Sequence, residues 1–306
     1  MKKLIFVTSN YPYGSGETFI ENEIEYLSKS FDKIFIYSTE AHSSDKKRCV
    51  PENVAVFAAN PTPVTKKDYV PCLFKPSAIK EIFRKCLGKN AFAKISACCY
   101  FSATVKKQTE NLDGFLRLCD ITADDSVTVY SYWLSTIGMC AIKIRDALQK
   151  SAIKTTLVSR CHGFDIYKER SEIAFLPFQE CMIARFERVF PCSKNGEKYL
   201  KNLYPRFGKK INVAYLGVKD NFNGNMPKKD ERFNIVSCSN VIPVKRVNLI
   251  AEGLAEITDK SISWTHFGDG ELFEKIKRYA ETTLPDNIKY EFPGRIPNSE
   301  IYNYYN

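Results

Sequence analysis

Short apolar runs of strand length alternate with amphipathic helical runs along almost the whole chain, and this alternation restricts the fold more than any other feature. "KLIFVTS" (3–9) precedes a loop and a helix over 17–30, and "KIFIYST" (33–39) and "VAVFAA" (54–59) follow. "SVTVYSYW" (126–133) leads into a helix over 134–150. "KTTLVSRCHG" (154–163) precedes a helical stretch over 172–187, which Pro177 must kink or interrupt. "RVFPCS" (188–193) runs into a helix over 194–205. Strands of this kind, separated by helices, belong to a parallel sheet covered on both faces, so the expected class is α/β.

Over 218–233 the hydrophobic period is lost, and Asn, Gly, Pro and charge cluster as in a linker. The alternation then restarts with "FNIVSCS" (233–239), a helix over 245–257, "SISWTHFG" (261–268), a helix over 270–283, "NIKYEFPG" (287–294) and a short helix from about 298. A chain of 306 residues has room for two domains, expected at 1–220 and 221–306, with ligand groups at the carboxyl ends of the strands.

The composition, 44% hydrophobic and 26% charged, is that of a soluble globular protein, and no apolar run approaches the roughly 20 residues that span a bilayer. "MKKLIFVTSN" turns polar too soon for a signal peptide and reads as a first strand. Eleven cysteines without any C-x-x-C spacing suit a reducing, cytoplasmic setting rather than a disulfide scaffold or structural zinc. With His42, His162 and His266 the only histidines, a His-rich metal site is not expected either.

The net charge of +10 bears on partners. Between Lys80 and Lys107 seven cations face one anion, Glu81, and apolar residues including Phe83, Phe92, Phe101 and Val105 are interleaved with them. A solvated basic face, an anionic membrane surface and nucleic acid are the three readings. No recognised nucleic-acid motif accompanies the run, and no nucleic-acid partner is expected.

Three strand-to-helix turns carry glycine or charge. In "SNYPYGSGETFI" (9–20), Gly14 and Gly16 permit a tight or left-handed backbone ahead of Glu17 and the free N–H groups of a helix start. Phe19 stands where a dinucleotide fingerprint has its third glycine, so a plain glycine-rich turn is the other reading. In "SRCHGFDIY" (159–167), His162 comes directly after a strand, either as a site residue or as a hydrogen-bonded loop histidine. In "THFGDGELFEKI" (265–276), Gly268 and Gly270 let a ligand's flat face approach the backbone. Finally, Lys245 and Arg246 in "SNVIPVKRVNLI" (239–250) mark a helix start that normally favours anionic side chains. They are either cations around a bound anion or a solvated pair.

The order of these pieces, "NYPYGSGETFIENEIEYL", "SRCHGFDIY", "PCSKNGEKYLKNLYP", "SCSNVIPVKRVNLI", "WTHFGDGELFEKI" and "YEFPGRI", resembles the retaining glycosyltransferases of family 4 used in bacterial surface-polysaccharide assembly. The resemblance implies a GT-B fold of two Rossmann-like, doubly wound domains. It also implies a nucleotide-diphosphate sugar donor, a saccharide or lipid-linked saccharide acceptor, and no metal. By that resemblance Lys245 matches the family's diphosphate lysine. The usual arginine five residues before it falls on Asn240, and Arg246 is inferred as its replacement. His162 matches the histidine near the donor sugar, and the loop of Gly14, Gly16 and Glu17 faces donor and acceptor. The family's E-x7-E segment has no counterpart before residue 306, so the second domain is expected to be incomplete and the chain possibly inactive. A nucleotide-sugar epimerase of the same fold and a non-catalytic, membrane-associated partner are the alternatives. The cytoplasmic face of the membrane is the expected location, with residues 80–107 as the contact.

Overall fold

The computed structural model describes residues 1–14, 16–218 and 232–305, with the side chains of Asn298, Ser299 and Tyr302 set aside. Most of the 218–233 linker therefore lies outside the described residues. The chain forms two compact units, Met1–Val218 and Lys219–Asn306.

In the first unit the strands are β1 (Lys2–Thr8), β2 (Lys33–Ser38), β3 (Val54–Ala58), β4 (Ser126–Ser131), β5 (Thr155–Cys161) and β6 (Arg188–Pro191). They form one parallel sheet in the order β3-β2-β1-β4-β5-β6. This is the doubly wound order whose direction of winding reverses between β1 and β4. β1 shows why the sheet is covered twice. Its Leu4 and Phe6 join a core with Ile20, Ile24 and Tyr132, while Ile5 and Val7 join a larger one with Phe115, Ile137 and Ile183. Alternate side chains thus enter opposite layers.

Helix α1 (Ile20–Ser30) supplies Ile20 and Ile24 to the first layer. Opposite it lie α2 (Val70–Leu73), α3 (Pro76–Lys85), α4 (Ala91–Gln108), α5 (Leu112–Leu118) and α6 (Thr136–Lys150). α7 (Gly163–Ile166), α8 (Gln179–Arg185) and α9 (Lys194–Leu203) complete the unit.

Two helical expectations need correction here. The stretch 172–187 is helical only from Gln179. Pro177 withholds an N–H, and Ala174 and Phe178 take positive φ of 48° and 59°, so residues 171–178 form a non-helical strap. The basic region 80–107 is not one amphipathic surface. It is split between α3 and α4, and Phe101 and Val105 of α4 are buried in the core. Its outward large hydrophobic residues are instead Phe83, Leu87, Phe92 and Tyr100.

The second unit holds β7 (Phe233–Cys238), β8 (Ile262–Phe267) and β9 (Ile288–Gly294) in a parallel sheet with β8 central. Helices α10 (Asn248–Ala255), α11 (Phe273–Thr283) and α12 (Asn298–Ile301) accompany it. Trp264 of β8 is fully buried in its core, with Ala251, Leu254 and Ile276 around it. The expected helix over 245–257 begins only at Asn248, because Pro243–Lys245 is a 3-10 turn and Arg246 has a left-handed φ of 53°.

Candidate functional site

The carboxyl ends of β1 and β4 meet at the point where the sheet reverses its winding, and two polar side chains organise that end. After β1 the chain turns through Ser9 to Phe19, and Glu17 adopts a positive φ of 52° that folds its carboxylate back onto the strand end. Ser9 N–H donates to Glu17 Oε1 at 3.1 Å, and Asn10 and Tyr11 N–H donate to Oε2 at 2.7 and 2.6 Å. The indole Nε1 of Trp133, just beyond β4, donates to Oε1 at 2.6 Å. One carboxylate therefore ties both sides of the switch point together through charge-assisted bonds. Gly14 has a left-handed φ of 63°, and neither Gly14 nor Gly16 has other chain atoms over its Cα. Arg48 closes the loop from outside, donating to Gly16 O and to Glu21 Oε1, each at 2.6 Å, and lying over the Tyr11 ring at 4.8 Å.

His162 follows β5 and lies in a box of aromatic rings. The ring centroids of Trp133, Tyr132 and Phe19 are 4.4, 5.2 and 5.7 Å from its own. Both ring nitrogens are buried without a hydrogen-bond partner among the described residues. Burial, reinforced by the nearby Arg160 cation, pushes its pKa down to about 4, so the imidazole is neutral near pH 7. Asp165, fully buried on α7, accepts from the N–H of His162 at 2.6 Å and of Leu134 at 2.7 Å. Burial outweighs those bonds and pushes its pKa up to about 7. Trp133 is the shared neighbour, bonded to Glu17 and stacked near His162.

A cavity of about 610 Å³ opens beside this junction. Ser9, Asn10, Glu17 and Glu40 lie on its polar side, and α4 and the 171–178 strap supply much of its apolar wall. His162 is not among the lining residues, although its neighbours Trp133, Phe164 and Asp165 are.

The other sequence-derived residues belong to the second unit. Lys245 and Arg246 are exposed in the turn between β7 and α10, with no ion pair among the described residues. Gly268 and Gly270 follow β8, where the chain's own backbone crosses over them. A Cβ on Gly268 would overlap the Ser239 carbonyl oxygen, and one on Gly270 would lie 2.6 Å from Val241 O. Val241 N–H donates to Asp269 O at 2.9 Å and Ser239 N–H to Phe267 O at 3.0 Å, which fixes that approach. Beneath it, Trp264 Nε1 donates to Ser237 Oγ at 2.9 Å, and Ser237 Oγ and His266 Nδ1 are 2.8 Å apart.

Sequence reasoning missed Trp133 and Arg48. "YSYWLS" did offer a signal for the first, an aromatic residue directly after a buried strand. Arg48 offered none, since it meets its loop only through tertiary folding. Among the described residues no cluster of His, Cys, Asp or Glu is placed to hold a metal ion, and no helix is long and apolar enough to cross a membrane. All eleven cysteines are free thiols.

No protein-family model and no curated protein matches the chain. Solved structures do. The apo form of the lipopolysaccharide outer core galactosyltransferase WaaB aligns over 99% of this chain and 70% of its own length, at 17% identity and a TM-score of 0.54. TarM aligns over 99% and 78% at 11% identity and a TM-score of 0.53. The catalytic domain of starch synthase IV from Arabidopsis thaliana, bound to ADP and acarbose, aligns over 97% and 75% at 10% identity and a TM-score of 0.52. At such identities the likeness is one of fold alone, an α/β architecture that resembles that of the GT-B glycosyltransferases.

Proposed function

We propose that this protein moves a glycosyl group from a nucleotide-diphosphate sugar to an acceptor held by the first unit, with retention at the transferred carbon. The observation that carries the reading is the cavity at the β1/β4 switch point of a 3-2-1-4-5-6 sheet, where doubly wound folds bind ligands. It is supported by the GT-B architecture and by neighbours that include a galactosyltransferase and an ADP-bound starch synthase.

In this reading the second unit receives the donor. Lys245 and Arg246, exposed and without ion-pair partners among the described residues, face the diphosphate. Negative charge grows on the nucleoside diphosphate as the glycosidic bond breaks, so fixed cations favour the transition state over the ground state. Gly268 and Gly270 shape the turn beside them. The loop of Gly14, Gly16 and Glu17 faces donor and acceptor, and Glu17 holds its shape through four N–H groups. His162, neutral and with both ring nitrogens without a partner among the described residues, accepts a hydrogen bond from a sugar hydroxyl once the side chains that bury it, Trp133 first, move aside for the ligand. The outward Phe83 and Phe92, with Lys80 and Lys89 beside them, rest on anionic headgroups and bring the protein to a lipid-linked acceptor. An epimerase would need carboxylates free to act on the sugar, and Glu17 and Asp165 are instead committed to N–H groups.

Titration calorimetry with UDP- and ADP-sugars tests the donor role. Lys245→Ala and Arg246→Ala should each weaken donor binding by about 10–100-fold, a charge-assisted contact's worth. Equal affinity in wild type and both variants returns the pair to a solvated turn.

A further inference from the structure

From the walls of the switch-point cavity we infer that its ligand is an amphiphile with an uncharged polar head, a hydrophobic alcohol or a glycoside of one, rather than a bare saccharide or a phosphate. The inference rests on reading the first unit as the acceptor side and names the acceptor's chemistry. At about 610 Å³ the cavity has the size of an ordinary small-molecule site. One wall is a stripe of α4, Ala97, Tyr100 and Phe101, spaced so that all three share a helix face. Facing positions come from Phe164 and from Phe175 and Leu176 of the strap.

None of those side chains except the Tyr100 hydroxyl can satisfy a sugar hydroxyl, and a polar group buried against them without a partner is penalised. Apart from Ser171 on the strap, the polar lining side chains gather at the sheet end, and there the charges are carboxylates. Glu17 has its oxygens on N–H groups, and Glu40 Oε1 accepts from Gln108 Nε2 at 3.3 Å while its Oε2 meets the Ser9 hydroxyl. Glu17's oxygens are taken by four N–H groups, so Glu40 is the acceptor left for a ligand hydroxyl, and the negative charge of both carboxylates repels a phosphate. Apolar walls with an acidic, hydrogen-bond-accepting end therefore select a neutral head on an apolar body.

Binding of methyl, hexyl and octyl β-glucoside to the full chain, below micelle concentrations and without donor, tests this through Trp fluorescence and calorimetry. Affinity should rise about fourfold per methylene until the cavity is filled. Octyl glucoside should bind at least tenfold more tightly than octyl phosphate. Ala97→Trp, which fills the cavity, should abolish the dependence on chain length. Phe175→Ala, which enlarges it, should extend the length at which affinity levels off, and it serves if the tryptophan variant fails to fold. Equal binding of methyl and octyl glucoside, preference for the phosphate, or octyl binding indifferent to both variants overturns the inference. Because no donor is present, a failure of sugar transfer leaves these outcomes readable, and their failure leaves donor binding untouched.

Discussion

The two units each place a G-x-G turn after a strand, and in each a phenylalanine stands where a third glycine belongs to the dinucleotide pattern. In the first unit the glycines face open space, and side chains hold the turn: its own Glu17 from inside, Arg48 from outside. In the second unit the glycines are themselves the packing. The 239–241 backbone lies where their side chains would be, and main-chain bonds hold the turn. The same sequence pattern thus marks a turn fixed by charged side chains in one place and a backbone crossing in the other. Substitution should separate them.

The largest effect is expected at Gly268. Its φ of 141° and the Ser239 carbonyl above it exclude any Cβ, so Gly268→Ala must move backbone against backbone. We expect a loss of at least about 3 kcal/mol, confined to the second unit. Amide exchange followed by mass spectrometry should show residues 232–305 losing protection while the six-stranded sheet keeps its own. Protection equal to wild type throughout would mean the crossing does not exist.

Glu17→Ala comes next. It leaves the N–H groups of Ser9, Asn10 and Tyr11 and the Trp133 indole without their shared acceptor. A loss of about 2–3 kcal/mol is expected, with a change in Trp133 emission, since hydrogen bonds to a charged group dominate this turn. Melting curves read the first quantity and fluorescence the second. A variant as stable as wild type with unchanged emission would show that the turn holds without the carboxylate.

These two positions also show what was legible in the sequence. Strand positions were readable to within a residue or two, because buried runs such as "LIFV" and "VTVY" end abruptly at polar residues. His162's place beyond β5 was readable for the same reason. The break at Pro177 was readable, but the non-helical path of 172–178 was not, because the apolar period continues through it while Ala174 and Phe178 adopt positive φ that no local pattern announces. The aromatic box around His162 draws on Phe19, Tyr132 and Trp133, from two separate segments, and only folding brings them together. Nor could spacing tell that Gly268 meets backbone and Gly14 does not.

A turn region held by buried ionisable groups should also respond to pH, and the signs can be worked out. His162 titrates at about 4 folded against 6.5 unfolded, so the unfolded state binds more protons between those values. Its contribution is complete above pH 6.5 and is lost as pH falls towards 4. Asp165 titrates at about 7 folded against 3.8 unfolded, so here the folded state binds more protons. Its contribution is largest on the acid side and is lost as pH rises from about 4 to about 7. At pH 5 relative to pH 8 each shift amounts to roughly 2 kcal/mol or slightly more, with opposite sign, and the pair nearly cancels. Urea titrations at the two pH values should therefore show His162→Phe gaining stability in acid and Asp165→Asn losing it. Identical pH slopes in both variants and wild type would remove the buried pair from the account.

The smallest effects are expected at the open glycines, and they decide whether the first turn is free in the way its surroundings suggest. Gly14 has a left-handed φ of 63° but nothing within reach of a Cβ, so Gly14→Ala carries a backbone penalty alone, about 1 kcal/mol. Gly16 has equally open space and no such φ, and Gly16→Ala should change stability by no more than about 0.5 kcal/mol in either direction. Its carbonyl, which accepts from Arg48, is retained by alanine. If the loop faces donor and acceptor as proposed, the pair also splits by function. A methyl group in space left open for a ligand should raise the apparent KM at either glycine, even where stability is unchanged. Denaturant melts beside steady-state kinetics on the two variants measure both quantities. A Gly16→Ala protein with normal stability and normal KM would make this glycine pair a plain turn, and the likeness to its counterpart in the second unit would then extend to use as well as to spelling.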